Sequence, residues 1–452
     1  MCPPPSTAER SAFPRGPGPG RGRLWLAMLA FSLAVGPTAF RTISTFSIPG
    51  RPDVTLNGMK DFRDAVYFPT VAYLEGVNPY GPEYQQFHPE DSEFPLFTPL
   101  TFLLHLPFGL LPYSWAAALY FALQVVLIVA LARLLLSACR VDASWTSGFG
   151  FAALIAISRP VHVNLYLGQL GLTMMLGCLL ALHWAKPKPW LAGLGLALVT
   201  IKPNYAVPLA VLMLCRRHFR AVTLGLAVSG VATAVATTVL VMRTGGVALF
   251  ASQLLSTYGS LTRHPGLESV DVASGRIDAV SILARFSSLP VPGSVKIVVA
   301  CGCLLLGGIA VLGLSRRQTE QRADGLSATV VCLCLLACVY HNSYDAALLF
   351  LPALAVAAAR NPVWRVVPDV ARWSLASLLA LPLLNYLSTR QVAYRLSLEG
   401  RLLDSVMSIN SVVIFLLFVA LAGWALLIGR RLSGLPSVAS DAGRFARARV
   451  SR

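Results

Sequence analysis

Charge is scarce in this chain. Only 13% of its 452 residues are Asp, Glu, Lys or Arg, and acids are the scarcer sign, 20 against 37 cations. A soluble globular protein carries about a quarter charged residues, so that class is excluded. Several motifs are missing as well. There is no Gly-rich P-loop, no His-Glu-x-x-His, no nucleophile elbow and no Rossmann fingerprint, which removes the usual carriers of nucleotide hydrolysis, zinc proteolysis, serine hydrolysis and dinucleotide redox chemistry. Cysteine is missing from the expected outer loops. Cys301-Gly-Cys303 and Cys332-Leu-Cys334 have the wrong spacing for a zinc knuckle or a redox Cys-x-x-Cys, so the cysteines read as small buried hydrophobes without disulfides. No repeat of long period is visible, although an inverted-repeat transporter would favour one.

What the chain has instead is apolar length. Hydrophobic residues make up 56% of it and the mean hydropathy is +0.66. The pattern predicts an all-α polytopic membrane protein with about ten spanning helices, near 24–43, 114–137, 146–158, 168–184, 220–242, 292–315, 326–340, 345–359, 373–387 and 410–429. Two stretches broken by proline, 95–112 and 189–215, read as re-entrant or broken hairpins, which persist at membrane depth only where protein or a wet cavity satisfies the backbone. The chain divides into a basic cytoplasmic tail over 1–23, one transmembrane domain over 24–429 with a first outer loop at 44–95, and a second basic tail over 430–452. A cleaved signal peptide is the rival reading of the N-terminus, but the first apolar run is long for one and lacks a clean cleavage site.

The net charge of +17 raises the question of a nucleic-acid partner. With both termini inside, the inner segments collect 23 cations against six acids. Orientation by the positive-inside rule therefore accounts for the excess, and no nucleic acid is required.

Chemistry is expected on the outer side. In the first outer loop, Asp61 and Asp64 are i and i+3, so on one helix they face the same way with Lys60 and Arg63 alongside. One aspartate is then a candidate base and a neighbouring cation a candidate phosphate holder; a solvated salt-bridged face is the plainer alternative. Tyr67, Asn78 and Tyr80 follow, the last two in an Asn-Pro-Tyr-Gly turn. Glu90-Asp91-Ser-Glu93 is a weak cation-site candidate. A second outer turn brings Arg159, Asn164 and Gln169 to the same side, as ligand contacts or interfacial anchors. Lys202 stands within apolar sequence, about 17 Å from either flank, where a lysine is costly unless paired or facing a wet cavity. Pro203 breaks the helix beside it, freeing carbonyls as possible partners, and Asn204 follows. His341, Tyr344 and Asp345 form a polar turn in an apolar stretch, with His341 and Asp345 at i and i+4.

These residues resemble a known family. Asp61-Phe-Arg-Asp-Ala-Val-Tyr67 through Asn78-Pro-Tyr80, Phe97-Thr-Pro99-Leu, Leu106-Pro-Phe-Gly-Leu-Leu-Pro112, Gly168-Gln169 and Gly193-Leu-Gly-Leu-Ala-Leu with Ile201-Lys-Pro203 are similar to family 87 glycosyltransferases of the GT-C superfamily. The resemblance covers residues 24–220, and beyond them extends to hydropathy and the His-containing turn. It implies an α-mannosyltransferase-like enzyme on the outer face of the bacterial inner membrane, with polyprenyl-phosphate mannose as donor and a glycolipid or glycan as acceptor. It implies an acidic base in the first outer loop, Asp61 or Asp64, and His341 near the sugar. Arg63, Arg159 or Lys202 would stabilise the departing phosphate, and no metal or cofactor is required. Membrane lipids are the remaining partners. A lipid or solute transporter or flippase, with Lys202, His341 and Asp345 along its path, is the alternative; the clustering of polar residues on one side argues against it.

Overall fold

The structure is a computed structural model that describes residues 20–49, 55–87, 97–263, 275–287, 291–315, 322–389, 392 and 395–433. The Glu90–Glu93 run and most of both tails lie outside these residues. The described residues are helical and form no strand; two isolated bridges, Phe46 with Gly58 and Arg276 with Asn342, are the only β pairings among them.

Five helices are long and apolar enough to cross a membrane: α1 (Arg21–Ser44), α6 (Tyr113–Ala138), α12 (Phe219–Thr244), α15 (Gly293–Leu314) and the last, α20 (Gly400–Ser433). Both terminal helices run further into the expected tails than hydropathy suggested. These helices turn large apolar side chains outward, among them Leu33, Leu123, Val231, Ile297 and Leu416. Such a surface is unstable in water and suited to lipid, so the chain is a multi-pass membrane protein.

Packed among these are helices too short to span. They are α9 (Gly171–Trp184), α10 (Pro189–Val199), α11 (Pro203–Cys215) and α16 (Leu326–Cys338), with 14, 11, 13 and 13 residues. At 1.5 Å per residue they reach only about 17–21 Å, against roughly 30 Å of hydrocarbon. Every residue of α16 is buried, which fits a helix apolar all round. α10 lies between α9 and α12 because Gly193 and Gly195 remove the side chains that would separate them: a Cβ on Gly195 would stand 2.6 Å from the Gly177 carbonyl, and one on Gly193 2.9 Å from Leu224. The Gly193-Leu-Gly195 motif therefore serves helix packing.

Two expectations need correction. The segment around Arg159, read as a turn, is a helix, α8 (Arg159–Leu167), set at 80° to α7 (Trp145–Ala156). Pro160 sits at its first turn, where its missing N–H costs nothing, so the proline is compatible with a helix starting there. The first outer segment is likewise structured, with α2 (Lys60–Phe62), a π-helical turn (Arg63–Tyr67), α3 (Phe68–Glu75) and α4 (Pro82–Phe87), followed by a single helix α5 (Leu100–Gly109) that packs on α3. Further on, α13 (Val247–Arg263) and α14 (Ala279–Ser287) fill the second outer loop. A 3₁₀ turn, Ser343–Leu349, leads into α17 (Phe350–Ala358), α18 (Pro362–Arg365) and α19 (Asp369–Leu384).

Candidate active site

The recess forms where the short helices end. α9 starts, α10 ends, α11 starts and α16 ends on the same side, and the α2–α3 segment and α8 close over them.

The α2–α3 segment is docked by its entry. Met59 takes a left-handed conformation (φ 62°) and donates its N–H to the Tyr166 carbonyl of α8 at 2.8 Å. Gly168, at φ +73°, ends α8 and lies so close to Phe62 that a Cβ would come within 2.5 Å of it. The next residue, Gln169, donates its side-chain amide to the Asp61 carboxylate. Asp64 takes another course. Within the π-helical turn it is buried, and Lys60 Nζ (2.5 Å) and Arg63 Nε (2.7 Å) both reach its oxygens. The two aspartates thus do not share a face as a regular helix predicts. Asp61 is half-buried against an amide, and Asp64 is enclosed between two cations. π-turns of this kind are frequent at functional sites.

Lys202 sits in the break between α10 and α11. Pro203 excludes the helical region for the residue before it, and Lys202 is extended at φ −111°, ψ 102°. The freed carbonyls go elsewhere than expected: Thr200 and Ile201 accept from the hydroxyl and N–H of Thr98, both at 3.1 Å. The buried ammonium instead stands 3.7 Å from Asp345 Oδ1 and over the rings of Tyr344 (4.9 Å) and Phe97 (5.5 Å). Asp345 also accepts from His341 Nδ1 (3.1 Å) and the Asn342 N–H (3.1 Å). His341 is fully buried, packs edge-on to Tyr205 at 4.4 Å, and its Nε2 has no hydrogen-bond partner among the described residues. With Nδ1–H given to the carboxylate, Nε2 is left as an acceptor.

The two clusters meet through α8. Asn164 donates to the Tyr344 carbonyl at 3.0 Å, and the Asp61 carboxylate acts electrostatically on the Tyr344 phenol. Asn204 donates to the Tyr340 carbonyl at 2.7 Å and holds the turn against α11. Asp61, Asn164, Gln169, Lys202, Asn204, His341, Tyr344 and Asp345 thus form one connected polar cluster.

The remaining expected residues are engaged elsewhere. Tyr67 donates to the Leu111 carbonyl (2.7 Å), and Asn78 donates to Gln253 (2.8 Å) while accepting the Tyr80 N–H. Tyr80 donates to the Phe97 carbonyl (2.6 Å), fixing a ring beside Lys202. Arg159 forks onto the hydroxyl and carbonyl of Ser388, at 2.5 and 2.9 Å. It joins α8 to the segment after α19.

Residues 96–341 match glycosyltransferase family 87, more than half of the chain. The chain belongs to glycosyltransferase family 87. No curated protein and no solved structure matches it. The family match differs in extent from the resemblance read over residues 24–220. It leaves out the Asp61 loop, takes in Lys202 and the second outer segment, and ends at His341. In this family 87 protein, sequence reasoning also missed Arg276 and Asp278. Arg276 pairs with Asp278 at 2.6 Å, lies 5.1 Å from the Tyr340 ring and bridges to Asn342, while Ser343 donates to the Gly275 carbonyl. The signal was available as an Arg-x-Asp in an outer loop, but nothing in its spacing pointed to the His341 turn. Arg41 was missed too: it ends α1 over the Tyr166 ring at 4.0 Å and reaches His162 at 3.1 Å.

Proposed function

We propose that this family 87 protein is an inverting GT-C-type transferase that moves a sugar, mannose by resemblance, from a polyprenyl-phosphate donor to a hydroxyl of a glycolipid or glycan. The reaction runs at the outer face of the bacterial inner membrane, with both termini cytoplasmic. Asp61 is the base. It takes the acceptor proton as that oxygen bonds the anomeric carbon, the carbon–phosphate oxygen bond breaks, and polyprenyl phosphate leaves with the electron pair.

The observation that carries this reading is the different fate of two neighbouring carboxylates. Asp64 is buried between two cations, whereas Asp61 is only half-buried, accepts from the Gln169 amide and acts on the Tyr344 phenol beside Lys202. Opposite Asp61, Lys202 supplies the positive charge a leaving phosphate needs; at 3.7 Å its contact with Asp345 is loose enough to be shared with an incoming anion. Asp345 and His341 hold that lysine and the sugar-facing turn. Five helices long and apolar enough to cross a membrane suit a donor whose long tail stays in lipid.

The test is donor use by membranes containing the chain. Radiolabelled mannose is expected to transfer from polyprenyl-phosphate mannose without any nucleotide sugar present. Transfer directly from a nucleotide sugar, with none from the lipid donor, would overturn the reading.

A further inference from the structure

At the opposite end of α9 from Gln169 and the candidate site, about 21 Å away at 14 residues of helix, lies a cavity of about 600 Å³. Ser137, Arg140, His183, Lys186, Arg322 and Asp324 line it. The cavity is cationic. Its single carboxylate, Asp324, is buried and already satisfied by Arg140 (2.5 and 3.0 Å) and Asn361 (3.3 Å). That leaves Lys186 and Arg322, both exposed, with no carboxylate partner among the described residues. Arg140 is held in place by its own backbone, left-handed at φ 57°, and by Asp324. The same end of the bundle, where α6 and α9 finish and α7 starts, carries the marks of a membrane–water interface. Trp184 lies under Lys188 Nζ at 4.9 Å, and Trp145 under the Arg133 guanidinium at 3.9 Å.

We propose that this cavity binds a phosphate-bearing anion, the headgroup of an anionic phospholipid of the leaflet opposite the active site, with Lys186 and Arg322 on the phosphate oxygens. The volume falls in the range of small-molecule sites, far larger than a single ordered water needs. Two cations lining one cavity, with no carboxylate partner among the described residues, favour an anion between them. The tryptophans put the cavity at headgroup level, where phosphodiesters are abundant. None of its residues belongs to the recess that holds Asp61 and Lys202, so the inference stands apart from the proposed reaction.

The experiment uses the full chain, purified in detergent and stripped of lipid. Thermal unfolding is followed with added phosphatidylglycerol, with phosphatidylcholine and with inorganic phosphate, for the wild type and for Lys186→Ala/Arg322→Ala. Both side chains are exposed, so the double variant keeps its fold; Lys186→Arg/Arg322→Lys controls for charge. Phosphatidylglycerol is expected to raise the unfolding temperature, and the double variant to need roughly tenfold more lipid for the same effect. The charge-preserving variant is expected to behave as wild type. A shift with inorganic phosphate that vanishes in the double variant upholds the phosphate site and makes its ligand water-soluble. Equal shifts with phosphatidylcholine, or shifts unchanged in the double variant, would overturn it.

Discussion

The proposed reaction gives two aspartates three positions apart opposite roles, and single substitutions separate them. Asp64 is buried between Lys60 and Arg63. Asp64→Asn removes the buried carboxylate charge that both cations face and is expected to cost about 3–5 kcal/mol of stability, read as a lowered unfolding temperature. Transfer per folded molecule should survive it. Lys202→Gln is expected to do the reverse: a neutral amide fits the same break, while kcat falls by roughly 10²–10³ for want of charge at the leaving phosphate. An unchanged kcat would remove Lys202 from the reaction.

Elements decide whether those residues meet. α10 is pressed between α9 and α12 at Gly193 and Gly195, and its end sets the height of Lys202. Gly195→Ile is therefore expected to cost about 1–3 kcal/mol and to lower activity together with the unfolding temperature, whereas Gly150→Ala, facing open space on α7, should alter neither. Much of this was readable beforehand. Hydropathy located four of the five long helices within a few residues, the last starting ten residues before the expected 410; Pro203 marked the break at Lys202, and the i,i+4 spacing paired His341 with Asp345. What hydropathy could not reveal is long-range or depends on backbone detail. The π-turn that separates Asp61 from Asp64 leaves no trace in composition, and Pro160 starts a helix as readily as it fills a turn. The Gln169 amide on Asp61 and the Arg276–Asn342 bridge join segments more than sixty residues apart, which no local pattern encodes.

For the molecule as a whole, the Asp61–Lys202 site and the cationic cavity lie at opposite ends of α9, and the proposed orientation, with both termini inside, turns Asp61 outward. In a cysteine-free background, Glu75→Cys is expected to react with a membrane-impermeant maleimide in intact cells, and Lys188→Cys only after the cells are opened. The reverse pattern would turn the protein over and place the sugar donor on the cytoplasmic side. The most direct measurement is the single-turnover rate of sugar transfer from the polyprenyl-phosphate donor by purified Asp61→Asn protein, with its unfolding temperature taken in parallel. The predicted result is a rate lowered by about 10²–10⁴ in a protein that melts as the wild type does. A wild-type rate in the variant would contradict Asp61 as the base.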